Sequence, residues 1–269
     1  MQRLLGRSSD CELDLTSCTC RTCLHSVLTG LKVNPTSDSI FPILNYVFTF
    51  PSPLNTPLKC LELANCCLNR VDMTYLANSL HSESLVHLDL SGHDIFGSFS
   101  TAFHKLLSRC SATLTTLVLE ECNIEDDHLT TFTNALSPCQ GLQELKLLGN
   151  PLSSVTLRRL FSTLTTGFPK LRYIEVPAPR DCYSEDVAYP LEDAVLLDYN
   201  RDLFQQTRGQ LLGILERAGR GDVEVCTPLM ASSGPPSHLS PHILCHHALN
   251  LQQQKTNKTK KHVQILEIQ

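Results

Sequence analysis

An α/β solenoid of repeated strand–helix units is the fold class this sequence predicts, and three observations predict it. Five segments, beginning at Leu58, Leu85, Leu114, Leu142 and Leu171, read L-x-x-[LI]-x-[LV] at intervals of 27, 29, 28 and 29 residues. Four of them continue to an apolar residue five places on, at Leu68, Ile95, Ile124 and Leu152. The stretches between the segments carry apolar residues at helical spacing. A single match would mean little, but five at near-constant period are the signature of a leucine-rich-repeat array.

Each repeat is expected to run as a short strand, a turn and a helix on the opposite side. In Leu58-Lys59-Cys60-Leu61-Glu62-Leu63, alternation buries Leu61 and Leu63, and Glu62 and Ala64 point outward. A helix follows near Val71–Leu80, with Val71, Tyr75, Leu76 and Leu80 inward. The next helices turn inward Phe99, Phe103, Leu106 and Leu107, then Leu129, Phe132 and Leu136, then Leu157, Leu160, Phe161 and Leu164. A period near 28 leaves room for a full helix, where shorter repeats carry only extended or 3₁₀ backs. This length resembles the ribonuclease-inhibitor subclass, which implies a horseshoe with parallel strands on the concave face and helices on the convex face.

The ninth position of successive repeats holds Cys66, His93, Cys122 and Asn150. In that subclass Asn and Cys alternate here and satisfy backbone groups where the strand bends away. His93 departs from the pattern, and two roles stay open for it: bonding the same backbone groups or facing solvent. The fifth segment ends in Pro177-Ala178-Pro179 and lacks the ladder residue, which marks the end of the array.

The array sets the domain boundaries. Residues 1–57 read as one or two degenerate repeats, with Cys11–Leu15 as a strand and helices at 23–31 and 40–50. Residues 58–180 hold the five repeats. Residues 181–230 read as a capping segment whose helix, Asn200–Ala218, starts at Asn200 or Asp202 and buries Leu203, Phe204, Leu211, Leu212, Ile214 and Leu215. Such a helix covers an open solenoid end. Residues 231–269 contain Ser232-Ser233-Gly234-Pro235-Pro236 and a polar run from Gln252 to Lys261, and are expected to be disordered.

Composition narrows the function classes. The net charge is −5, while residues 231–269 carry four Lys against Glu267, so the remainder carries −8. An acidic body argues against nucleic acid as a partner. The most apolar stretch, Ile40–Leu54, is broken by Pro42, Pro51 and Pro53 and is too short to span a bilayer, so no membrane role is expected. The start, Met1–Arg7, has no apolar signal region. The thirteen Cys are therefore read as thiols in a reducing compartment. The expected location is the cytoplasm, with the nucleus as the alternative.

The strands also define a candidate surface. Glu62, His87, Asp89, Glu120, Glu121, Glu144, Lys146, Arg172 and Glu175 are assigned to the concave face, six acids against two cations. A basic protein segment would gain on-rate and orientation from such a groove. The competing explanation is that charge keeps an exposed sheet soluble. No metal or cofactor is expected. Cys11, Cys18, Cys20, Cys23 and His25 contain one C-x-x-C without a second unit, and His238, His242, Cys245, His246 and His247 form a second loose cluster. Catalytic motifs are absent from the sequence, and Ser91-Gly92-His93-Asp94 is read as a repeat turn.

Leu58–Leu68, Leu114–Ile124 and Leu142–Leu152, with the segment after them, resemble the PRAME family, in its leucine-rich-repeat-containing protein 14 and 14B branch. That segment runs Tyr189-Pro190-Leu191-Glu192, then Asp198-Tyr199, a helix, and Gly221–Pro228. The resemblance covers residues 10–228 and implies a C-terminal portion of a longer protein or a shortened isoform. It implies a protein-binding scaffold, either an adaptor or substrate receptor of a cullin-type ubiquitin ligase, or a non-catalytic inhibitor of an inflammatory signalling or transcription-regulatory protein by surface occupation. The ligase-docking motif of such receptors lies in their N-terminal part, and this sequence shows no credible copy.

Overall fold

Seven parallel strands, hydrogen-bonded in chain order from β1 to β7, make one open sheet. The computed structural model describes residues 12–14, 57–66, 68–189, 191, 195 and 198–227. The strands are β1 Glu12–Asp14, β2 Cys60–Glu62, β3 His87–Asp89, β4 Thr116–Val118, β5 Glu144–Lys146, β6 Tyr173–Glu175 and β7 Glu224–Cys226. Between them run α1 Arg70–Asn78, α2 Ile95–Ser98, α3 Ser100–Cys110, α4 Leu129–Leu136, α5 Ser154–Gly167 and α6 Arg201–Arg217. A helix between strands returns the chain to the same end of the sheet, which makes neighbouring strands parallel. The predicted helices at 23–31 and 40–50, both thiol and histidine clusters, and the 231–269 tail lie outside the described residues.

Register is uniform. Cys60 pairs with His87, His87 with Thr116, Thr116 with Glu144, Glu144 with Tyr173 and Tyr173 with Glu224. Equivalent repeat positions therefore stack in rows. The central residues Leu61, Leu88, Leu117, Leu145 and Ile174 are fully buried. They join one core with Phe103, Phe132 and Phe161, which recur at equivalent points of α3, α4 and α5. Consecutive helices pack on one another: α1 on α3, α3 on α4, α4 on α5, and α5 on α6.

One inward and one outward assignment differ. Leu80 is 46% exposed, because α1 ends at Asn78 and the chain tightens into a 3₁₀ turn over Leu80–Glu83. Met73 fills the core instead. Ala64, expected outward, is buried because its small side chain sits where the chain leaves the strand.

The strand-to-helix turn has its own repeated device. The eighth position of four repeats is Asn65, Gly92, Glu121 and Gly149, with φ of 56°, 75°, 52° and 70°. This left-handed step bends the chain and turns the ninth side chain into the core. Helix starts are capped locally. At α1 the Asn69 N–H donates to the Asp72 carboxylate at 3.0 Å and the Asp72 N–H to the Asn69 side-chain oxygen at 3.1 Å. Asn200 accepts from the Leu203 N–H at 3.0 Å at α6.

Candidate protein-binding face

The sheet face opposite the helices is built from the third and fifth positions of each repeat. Along the third row stand Cys60, His87, Thr116, Glu144, Tyr173 and Glu224; along the fifth, Glu62, Asp89, Val118, Lys146, Glu175 and Cys226. Most are half-buried, because each side chain leans on its row neighbours while its tip meets solvent. Glu62 and His87 approach to 3.5 Å. Lys146 lies 4.0 Å from Glu175 and sits over the Tyr173 ring at 5.7 Å. Asp89 accepts from the Ser91 N–H and hydroxyl at 2.8 and 2.6 Å.

Glu120 is central to this face. Its backbone N–H donates to the Ser91 hydroxyl at 3.1 Å. Burial, reinforced by Glu175 and Asp89 and opposed by Lys146, holds that carboxyl up at about 7. Burial also raises the Tyr173 phenol, with Glu175 adding to the shift.

Not every assigned residue belongs here. Arg172 turns away from the face: its guanidinium pairs with Asp222 at 2.7 Å and reaches the Pro169 and Leu171 carbonyls. The second repeat position lies at the strand's entry, outside the alternation that sends positions three and five to the face. Glu121 is exposed in the left-handed turn, beyond the strand ends. Glu224 was missed, because β7 lies outside the leucine pattern. With Arg172 gone and Glu224 added, Lys146 is the one Lys or Arg on these rows from β2 to β7, against Glu62, Asp89, Glu144, Glu175 and Glu224.

The ninth-position residues all point inward. Asn150 accepts from the Cys122 and Ile124 N–H groups at 3.0 and 2.9 Å. It donates to the Leu119 and Leu147 carbonyls at 2.7 and 2.8 Å. Cys122 donates weakly to Leu90 O at 3.3 Å, and Cys66 to Ala64 O at 3.6 Å. His93 takes the first of its two open roles: it is buried, and its Nδ1–H donates to Leu90 O at 2.9 Å. The carbonyl accepts, so the proton is on Nδ1, and burial depresses the ring's basicity. Asp94 caps α2 through the Gly97 N–H at 3.0 Å. The Ser91–Asp94 turn is thus occupied with backbone bonding.

Residues 48–208 match the family model described as the PRAME C-terminal domain. That match spans more than half of the chain. The chain belongs to the PRAME family. Within it, the chain falls in the branch of leucine-rich repeat-containing protein 14. It is 39% identical over 174 residues to that protein from Bos taurus, covering 64% of this chain and 35% of the relative. The Homo sapiens protein is 38% identical over the same length and coverage. The Xenopus laevis protein is 38% identical over 172 residues, 63% of this chain and 33% of the relative. The chain spans about a third of the length of these curated relatives. These names describe a repeat protein. No described helix is long and apolar enough to cross a membrane.

Proposed function

We propose that this chain is a non-catalytic protein-binding module whose acidic sheet face takes a basic segment of a partner protein. The observation that supports it is the pair of aligned rows carrying, from β2 to β7, five carboxylates and one Lys or Arg. A partner Lys or Arg placed there also meets Glu120. The cation would favour the charged carboxylate, so docking would expel the proton that burial retains. Affinity is then full above about pH 7 and falls as the pH drops below it. Raised salt would weaken the same contact.

The wider role is our reading of the family resemblance. We assign the chain to an adaptor or substrate receptor of a cullin-type ubiquitin ligase, acting in the cytoplasm, with the repeats curved into a horseshoe and residues 181–230 closing one end. Membership of a family of repeat proteins supports this reading. Co-precipitation of the chain with cullin and elongin subunits tests it. Absence of those subunits from its complexes overturns the ligase role and leaves the inhibitor reading. The binding face is tested separately, by peptide display on the purified chain. Enrichment of Lys- and Arg-rich peptides, lost in a Glu144→Lys variant, is expected. Enrichment without regard to charge refutes it.

A further inference from the structure

The first two repeats bring three metal-ligand side chains together on the open sheet face. Register sets Cys60 beside His87 across β2 and β3, and Glu62 follows Cys60 by two residues. Alternation therefore sends all three from the same face at adjacent points. Glu62 Oε1 lies 3.5 Å from His87 Nε2 and 3.9 Å from Cys60 Sγ. The three ligand atoms all lie within 4.8 Å of one another.

These separations suit a tetrahedral metal. Zinc bonds of about 2.0–2.3 Å place ligand atoms roughly 3.3–3.8 Å apart. Small rotamer adjustments would bring all three atoms to that spacing, and the backbone positions are already fixed by strand pairing. One sulfur, one imidazole nitrogen and one carboxylate oxygen is a zinc-type donor set. Calcium and magnesium prefer oxygen-only shells.

The geometry points to a zinc site formed by Cys60, Glu62 and His87 on the open sheet face, with a fourth position for water or a partner's side chain. Binding forms Zn–S, Zn–N and Zn–O bonds and releases the Cys60 thiol proton to solvent. A neutral imidazole uses its Nε2 lone pair. No electron is transferred. The local charge rises by one, because a dication is gained and one proton is lost.

The test uses the full wild-type chain, with zinc buffered at micromolar free concentration. Each cysteine's alkylation rate is followed by mass spectrometry. Zinc should slow alkylation of Cys60 at least about tenfold, because a coordinated thiolate is a poorer nucleophile. Cys226, also half-buried on the same face, is the internal control and should not change. An unchanged rate at Cys60 overturns the proposal, even if other cysteines are protected. Cobalt(II) gives a second reading. The wild type should show a thiolate-to-cobalt charge-transfer band that Cys60→Ser and His87→Asn each reduce by one equivalent. If both variants keep the full wild-type band, the metal is bound elsewhere and the site is refuted.

Discussion

Replacing Glu120 by Gln should stabilise the protein in alkaline solution and leave it nearly unchanged in acid. The carboxyl stands at about 7, against an ordinary 4.5, because burial, Glu175 and Asp89 all disfavour its charge. At about 1.4 kcal/mol per tenfold, ionising it in the fold costs about 3 kcal/mol. The side chain keeps some solvent exposure, so screening reduces that to about 1–2 kcal/mol. The sign follows from proton counting. Between pH 4.5 and about 7 the folded chain holds this proton and the unfolded chain does not. Stability from this group is therefore fully present below 4.5 and is lost as the pH rises through 7. Gln removes that loss. Urea denaturation of wild type and Glu120→Gln at pH 5 and pH 8 should show a gain of about 1–2 kcal/mol at pH 8 that largely vanishes at pH 5. Equal effects at both pH values would refute the electrostatic argument, as would destabilisation at pH 8.

His81 supplies an opposing slope. Its ring is fully buried, accepts from the Leu58 N–H at 3.1 Å, and is held down at about 4 by burial. Its contribution is present above 6.5 and lost as the pH falls towards 4, so the Tm of Glu120→Gln should fall more steeply than that of wild type from pH 6.5 to 4.5, converging on it at the acid end. Asn150→Ala strips partners from two buried N–H groups and two carbonyls. It should cost at least about 3 kcal/mol, a fall of roughly 6–12 °C in Tm by calorimetry. Glu121→Gly relieves a left-handed side chain and should raise stability by about 0.5–1 kcal/mol in the same assay.

The solenoid was legible because one repeat is one structural unit, so a period in leucine is a period in burial. Leu61, Leu88, Leu117, Leu145 and Ile174, with Phe103, Phe132 and Phe161, could be assigned inward from spacing alone. Asn200 was legible as a cap because its chemistry is local. The face was only partly legible. Arg172 sits one residue before the strand alternation begins, and its direction is set by Asp222, fifty residues away. Glu224 entered the acidic row only because β7 pairs with β6. The Cys60, Glu62 and His87 cluster depends on register across 27 residues, so a search for closely spaced ligand pairs passes over it. Comparing third and fifth positions between neighbouring repeats would have found it. The left-handed eighth position was visible in Gly92 and Gly149, but Glu121 hid the rule.

The most direct test of the binding face is affinity capture from cells with three forms of the chain: wild type, Glu121→Lys with Glu144→Lys, and Glu216→Lys on α6. Glu121 is exposed beside the face and Glu144 is half-exposed on it, while Glu216 is exposed on a helix. All three forms should fold, as circular dichroism and melting will show. The double reversal should lose the partners that wild type and the Glu216 variant retain. A folded double variant that keeps every partner would contradict the proposal that the acidic sheet face binds them.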